Sequence, residues 1–427
     1  MTKVYFETYG CSHNFSDTAF MQSEVRKDTT LETTNEISKA DVIVLNTCTV
    51  KNKTVTNFKK RLQFLEKKYP RAKVVLAGCM TQASKSSKFS ETPEMLNYSM
   101  IGTNNLKDIT LAITSQTLFQ KIESQKRNPG FQDTYTPIET IPISTGCLHF
   151  CTFCHTKLAR GQLTSYPIST IKDHVENAIS KGSKVIFLTS QDNGCYGFDI
   201  GENSAKLLQE LVTIKGDFMI RFGMANPTHV KKILPELLHI LKHPKIFSFL
   251  HIPIQSGSDT VLLEMKRENL VSDFKEILQL ARKEIPSITI STDIIIGFPN
   301  ETEEDFKKTL ALLEETKPDV INRAKYSKRP STKAAKMKQL PGKTISERSK
   351  KLSLLVENIS QEKNKSWIGW EGKAIIEDIQ EKNILARNES YKPIVIEKSN
   401  TSFKKGDWVK IKITNSTIFH LIGELQK

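Results

Sequence analysis

The first 120 residues alternate short β-branched runs with longer stretches whose apolar positions recur every three or four residues. KVYFETYG (3–10), DVIVLNT (41–47) and KVVLAG (73–78) read as strands, with helices at 14–27 and 51–68. That βα rhythm builds an open, mostly parallel sheet. A polar stretch containing Pro-Gly, residues 124–136, reads as a linker. The rhythm then resumes, with strands expected at 140–145, 184–190, 218–224, 247–254, 288–298 and 319–326. Helical patterns fall at 168–181, 204–214, 230–242, 271–284 and 302–316. Six such units fit a partial parallel (β/α)6 barrel, smaller than the eightfold one and open on one side. After residue 366 the period drops to two. EGKAIIEDI, NILARN, KPIVIEK, DWVKIKIT and FHLIGEL are five short alternating segments separated by polar turns. They predict a small antiparallel β-barrel like an oligonucleotide-binding fold. The expected fold class is therefore α/β, with units at 1–123, 137–365 and 366–427.

Composition adds little to this until charge is placed along the chain. The 427 residues are 38% hydrophobic and 26% charged, which excludes a mainly disordered or fibrous chain. No run of 18 apolar residues appears, and the N-terminus lacks the features of a secretory signal, so a cytoplasmic, non-membrane protein is expected. The net charge of +15 favours an anionic partner such as nucleic acid. Most of it is local, because residues 323–365 carry 13 Lys/Arg against three acids. This segment reads either as a solvated helical face or as a phosphate-contacting surface, with Lys333, Lys336 and Lys338 the candidates for RNA.

Seven cysteines are too few for a disulfide scaffold and suit metal chemistry in a cytosolic protein. Cys11, Cys48 and Cys79 each follow one of the first three strands. Parallel strands place their carboxyl ends on one sheet edge, so these three residues should converge there. Cys147, Cys151 and Cys154 follow the first strand of the second series, where three thiolates can hold three irons of a cubane cluster. The fourth iron would lack a protein ligand and stay open for chemistry. The alternative is zinc held by these cysteines with His149 or His155, although structural zinc sites commonly pair two CxxC elements. Cys195 reads as a small space-filler or as a thiol near the site. Arg160 and Arg323 could meet phosphate or carboxylate, or form salt bridges.

The stretches TYGC (8–11), NTCTV (46–50), AGCM (77–80), STGCLHFCTFC (144–154), LHIPIQSGSD (250–259) and DIIIGFPNETEEDF (293–306) run nearly the length of the chain. Together they resemble the radical S-adenosyl-L-methionine (SAM) methylthiotransferases, and the terminal barrel resembles that family's RNA-binding TRAM module. Residues 155–167 and 188–197 are similar to the archaeal and eukaryotic branch that modifies threonylcarbamoyladenosine in tRNA. Branches acting on isopentenyladenosine tRNA or on a ribosomal protein are the alternatives.

The resemblance implies two 4Fe–4S clusters, one on Cys147, Cys151 and Cys154 and an auxiliary one on Cys11, Cys48 and Cys79. It implies SAM near Phe153, Thr189, Ser190, Gln191, Gly297 and Glu301. The implied reaction is hydrogen abstraction from adenine carbon 2 by a 5′-deoxyadenosyl radical, then methylthio transfer, at position 37 in the tRNA anticodon loop. An unidentified electron donor is implied as well. Asn300, Lys328 and Ser331 depart from the family's usual residues. Deleting residues 367–427 is expected to weaken tRNA binding and leave both clusters intact.

Overall fold

The computed structural model describes residues 1–48, 52–84, 93–123, 133, 135–329, 331–398 and 402–426. Its first layer runs β1 (Thr2–Thr8), α1 (Ser12–Lys27), β2 (Leu31–Thr34), β3 (Val42–Thr47), α2 (Asn52–Lys68), β4 (Lys73–Gly78), α3 (Cys79–Ser84), β5 (Ser99–Ile101), α4 (Ile109–Thr114) and β6 (Gln120–Lys121). The strands form one parallel sheet in the order β2-β1-β3-β4-β5-β6. Every residue of β3 is buried because the sheet is covered on both faces. Val42 and Val44 face Phe20, Met21 and Ile109, while Ile43 and Leu45 face Phe58, Leu62 and Leu65. Three strands of this sheet were not anticipated, namely β2, β5 and β6. They are four residues or fewer, and β2 reads Leu-Glu-Thr-Thr, too short and polar to show a period. Most of the expected linker, residues 124–132 and 134, lies outside the described residues, as do residues 49 and 50 of NTCTV.

The second series begins with β7 (Ile138–Pro142), β8 (Ser144–Thr145), α5 (Thr156–Arg160), β9 (Thr164–Ser165), α6 (Ile168–Ser180), β10 (Val185–Thr189) and α7 (Ser204–Val212). It continues through β11 (Met219–Arg221), α8 (Pro227–Lys232), α9 (Leu234–Leu241), β12 (Phe249–His251), α10 (Asp259–Glu264) and α11 (Val271–Glu284). It ends with β13 (Thr289–Ile296), α12 (Glu303–Thr316), β14 (Val320–Lys325) and α13 (Gly342–Lys365). Strands β7, β10 and β11 pair in parallel, as do β12, β13 and β14. The two halves join where the Phe247 amide donates to the Ile220 carbonyl at 3.0 Å. The result is the expected six-unit partial barrel, open between β7 and β14.

The single helix expected at 230–242 is divided at Ile233, because Pro235 lacks the N–H that a continuing helix needs. Helix α12 starts as its sequence dictates. Thr302 and Asp305 exchange hydrogen bonds in a capping box, and three acids occupy the first turn.

The terminal strands β15 (Glu371–Ile379), β16 (Asn383–Asn388), β17 (Pro393–Glu397), β18 (Trp408–Ser416) and β19 (Leu421–Leu425) close into a barrel. The expected antiparallel order holds except at the closing pair, where β17 and β19 run parallel. Period-two alternation cannot distinguish these directions, since it reports only which face is buried.

This small barrel plugs the larger one. On β10, Ile186 and Leu188 face the surrounding helices, so Val185 and Phe187 face the barrel interior. There they meet Met219, Phe247 and Phe249, with Ile375, Tyr391 and Trp408 covering them from the terminal barrel. The Arg221 guanidinium sits in the same layer, 5.0–5.6 Å from the rings of Phe187, Phe249 and Tyr391. Ser248 donates to the Glu389 carbonyl at 2.8 Å, and Lys392 pairs with Asp319 at 3.1 Å. Ser248 and Asp319 precede β12 and β14, so the terminal barrel sits at the amino ends of the strands.

The plug revises the expectation for a chain ending at residue 366. Such a chain would bare the floor of the central barrel and should aggregate rather than stay folded with one function lost. A single change measures the plug directly. Ile375→Ala, at a fully buried site, should cost about 3 kcal/mol. Thermal unfolding of the central barrel would report that loss, and an unchanged midpoint would show the two barrels to be independent.

Candidate active site

Cys11 caps the amino end of α1, Cys48 follows β3, and Cys79 opens α3 directly after β4. The first sheet therefore brings all three to its carboxyl edge, as expected. Asn14 ties them together. Its side-chain oxygen accepts from Cys11 Sγ at 3.4 Å and from Cys79 Sγ at 3.8 Å. Its amide nitrogen donates to the Thr47 carbonyl at 3.0 Å, and Asn46 donates back to the Asn14 carbonyl at 2.7 Å. Two glycines keep the space open. A Cβ on Gly10, at φ +125°, would lie 2.8 Å from Cys48 Cβ and 3.1 Å from Cys48 Sγ. Gly78, at φ +96°, leaves room for the Asn46 side-chain oxygen.

Cys147, Cys151 and Cys154 lie on the loop after β8, at the carboxyl end of the central barrel. The loop is pinned on several sides. Cys147 N donates to the Gly161 carbonyl at 3.3 Å, and Cys154 Sγ accepts from Thr156 N at 3.3 Å. Thr152 reaches the Glu264 and Met265 carbonyls at 2.9 and 3.0 Å. The Lys157 ammonium donates to the Cys147 carbonyl and lies 4.2 Å from the Phe150 ring centroid. Burial pushes the Cys147 and Cys79 thiols up to about 12. Metal loading must therefore release protons at both loops.

The spacing of the sulfurs bears on what they hold. Thiolates on one tetrahedral zinc sit about 3.8 Å apart, given Zn–S bonds near 2.3 Å. Among the described residues, neither triad draws its three sulfurs within 4.8 Å of one another. Neither set is drawn together as donors around a single ion are. His149 does not complete a zinc site with these cysteines. Its ring lies 4.5 Å from that of His229, whose Nδ1 is 2.7 Å from Asp192 Oδ2. That separation is a hydrogen bond, and His149 joins this brace by ring packing, its Nε2 buried without a hydrogen-bond partner among the described residues. Burial and the neighbouring His229 push His149 down to about 4, which leaves it neutral. This buried group was not anticipated, because its members lie 37 to 80 positions apart.

The other expected residues divide into two sets. Gln191 reaches the cluster loop, its side-chain oxygen accepting from Gly146 N at 2.6 Å. Thr189 ends β10, and the Ser190 hydroxyl bonds Asn193 at 2.5 Å. Phe153 packs among Val261, Met265, Phe298 and Ala334, which accounts for it without a ligand. Glu301 accepts from Gly297 N at 3.0 Å and pairs with Arg348 Nη1 at 2.6 Å. Its carboxylate is thus already committed to holding the Gly297 turn. Cys195 is fully buried, and its thiol donates to the Asp192 carbonyl at 3.3 Å.

Lys333, Lys336 and Lys338 are exposed on the loop between β14 and α13. That loop folds back to the cysteine loop, since Ala334 N donates to the Thr152 carbonyl at 3.0 Å. The rest of the basic segment is partly structural. Arg348 is buried against Glu301, and Leu352, Val356 and Ile359 of α13 join the central core.

Residues 141–313 match the radical SAM superfamily, and residues 3–99 match the uncharacterized protein family UPF0004. The site therefore belongs to a radical SAM enzyme, a class that uses SAM and a 4Fe–4S cluster. Similarity also runs end to end. The chain is 36% identical to a probable threonylcarbamoyladenosine tRNA methylthiotransferase of Pyrococcus horikoshii, covering all of both chains. It is 37% identical to the corresponding Methanocaldococcus jannaschii protein over 99% of this chain and 97% of that one. The human threonylcarbamoyladenosine tRNA methylthiotransferase is 37% identical over 99% of this chain and 74% of its own length. The chain belongs to the threonylcarbamoyladenosine tRNA methylthiotransferase family. Among solved structures, a radical SAM methyltransferase, TsrM of Kitasatospora setae, superposes with a TM-score of 0.56. It covers 78% of this chain and 74% of that one at 12% identity, a likeness of fold alone.

Two outcomes follow for the thiols. In cluster-free protein at pH 8, iodoacetamide should label exposed Cys11 well before buried Cys79 and Cys195, as peptide mapping would show. Burial raises the Cys79, Cys147 and Cys195 thiols, so the folded state keeps protons that the unfolded chain releases above about pH 8.5. Stability of the cluster-free protein should therefore be full below that pH and fall as pH rises past it. Cys195→Ala should flatten the fall while retaining iron and most activity.

Proposed function

We propose that this chain converts N6-threonylcarbamoyladenosine at position 37 of tRNA to its 2-methylthio derivative. The full-length match to relatives carrying that name supports the reading. The structural observation that carries it is the Ala334–Thr152 hydrogen bond, which holds three exposed lysines beside the cluster loop. A polyanion bound there would present a base to the barrel mouth. We assign residues 1–123 to an auxiliary-cluster unit, 137–365 to the radical unit and 366–427 to a TRAM-like module.

Cys147, Cys151 and Cys154 would hold the radical cluster, and Cys11, Cys48 and Cys79 an auxiliary one. When bound, these groups with SAM supply a radical that removes hydrogen from adenine carbon 2 and the methylthio group that replaces it. The residues of the chain prepare the place. The His149–His229–Asp192 brace, with Lys157 on the Cys147 carbonyl, fixes the first loop. Thr189, Ser190 and Gln191 line the strand end next to it, where SAM would lie. Gly297 and Glu301 shape the turn opposite, with Phe153 packed beneath. The plugged floor excludes water from below. An anticodon-loop adenine is unpaired, so turning it into the mouth costs little. Electrons must come from a separate donor, since no further redox cofactor is implied.

Anaerobically reconstituted protein should carry about eight irons, from two four-iron clusters. Changing Cys11, Cys48 and Cys79 to Ala should leave about four, with SAM cleavage retained and no methylthio product by nucleoside mass analysis. Full iron with normal product in that variant would refute the auxiliary assignment.

Replacing Lys333, Lys336 and Lys338 with Gln should weaken tRNA binding. It should also reduce the slope of log affinity against log salt by roughly 0.9 per lost phosphate contact. An unaltered slope would mark the three lysines as a solvated surface.

A further inference from the structure

Arg160 is the last residue of α5, on the side of the radical cluster, yet its charge is spent elsewhere. The side chain is 4% exposed and crosses to the first sheet. There Nη2 and Nη1 meet Asp17 Oδ2 and Oδ1 at 2.5 and 3.3 Å. Asp17 stands on α1, less than two turns from Cys11. The adjoining contacts make this a seam between the two halves of the site. Helix α3, which begins at Cys79, packs on α5, and Thr103 donates to the Ala159 carbonyl at 2.7 Å.

The ion pair does not use all of the guanidinium. Arg160 Nε is buried and has no hydrogen-bond acceptor among the described residues. Through Asp17 on α1 and the α3–α5 contact, Arg160 reaches the sheet edge that carries Cys11 and Cys79. His13 lies 3.8 Å from the same Asp17 carboxylate. A buried cation with a donor left over is costly unless an anion completes it. Three thiolates closing on iron would form such an anion at this edge of the sheet.

We propose that Arg160 is a positioning residue for the auxiliary cysteine triad, raising the reduction potential of the cluster held there, with Asp17 as its counterweight. The inference rests on the auxiliary-cluster reading and extends it. It also gives the seam a purpose, because the radical unit itself would supply the charge that tunes the auxiliary unit.

The test uses the full chain with Cys147, Cys151 and Cys154 changed to Ala, so that only the auxiliary cluster titrates. Iron content and an EPR-monitored redox titration are the readouts. If this background holds no iron, the auxiliary reading fails and the present inference fails with it. If it holds about four irons, Arg160→Gln should lower the midpoint by at least tenfold in the oxidised-to-reduced ratio, about 59 mV for one electron. Arg160→Lys should recover part of the shift, and Asp17→Asn should move the midpoint upward. Should Arg160→Gln alone shed iron, the Asp17→Asn/Arg160→Gln pair, which removes both charges, decides the matter. A midpoint in the pair below that of Asp17→Asn alone supports the proposal. A midpoint unchanged from the background in Arg160→Gln, or unchanged from Asp17→Asn in the pair, would overturn it while leaving the cluster assignment standing.

Discussion

Parallel strand pairing is the constraint from which the rest of this molecule follows. In a parallel sheet all carboxyl ends share one edge, and every crossover returns to the opposite edge. The chain applies that geometry twice, in the six-stranded first sheet and in the six-strand open barrel. Each time it places cysteines just beyond strand ends. Residues as distant as Cys11 and Cys79 meet because β1, β3 and β4 run side by side in the same direction.

A second constraint is electrostatic. Six thiolates on metal, with a buried aspartate near each triad, would place much negative charge in a poorly solvated region. The chain answers with buried or half-buried cations, Arg160 beside one triad and Lys157 and Arg267 beside the other. Each is fixed by other bonds, so the compensation is built before any cofactor arrives. Arg267, for example, also donates to the Pro253 carbonyl at 2.5 Å.

Much of this was legible in the sequence because it is local. Strand periods, the CxxxCxxC spacing and the three strand-end cysteines are all written within windows of a few residues. What escaped is long-range or already satisfied. The Asp17–Arg160 pair spans 143 positions, and nothing about either residue alone marks it as buried. Glu301 lies in a motif that suggests ligand contact, yet Arg348, 47 positions on, claims its carboxylate. The parallel closure of the terminal barrel is invisible to a pattern that records faces and not directions. The basic run showed its charge but not its division into exposed lysines at the mouth and an arginine serving the core.

The plug formed by Ile375, Tyr391 and Trp408 gives the central barrel a closed back wall. Anything used inside must arrive through the mouth or the adjoining gap between β7 and β14, and must leave the same way. With a nucleic acid stopping the mouth, small molecules would have to be seated before it arrives, and spent fragments would leave only after it withdraws. Turnover would then be paced by how long the RNA stays.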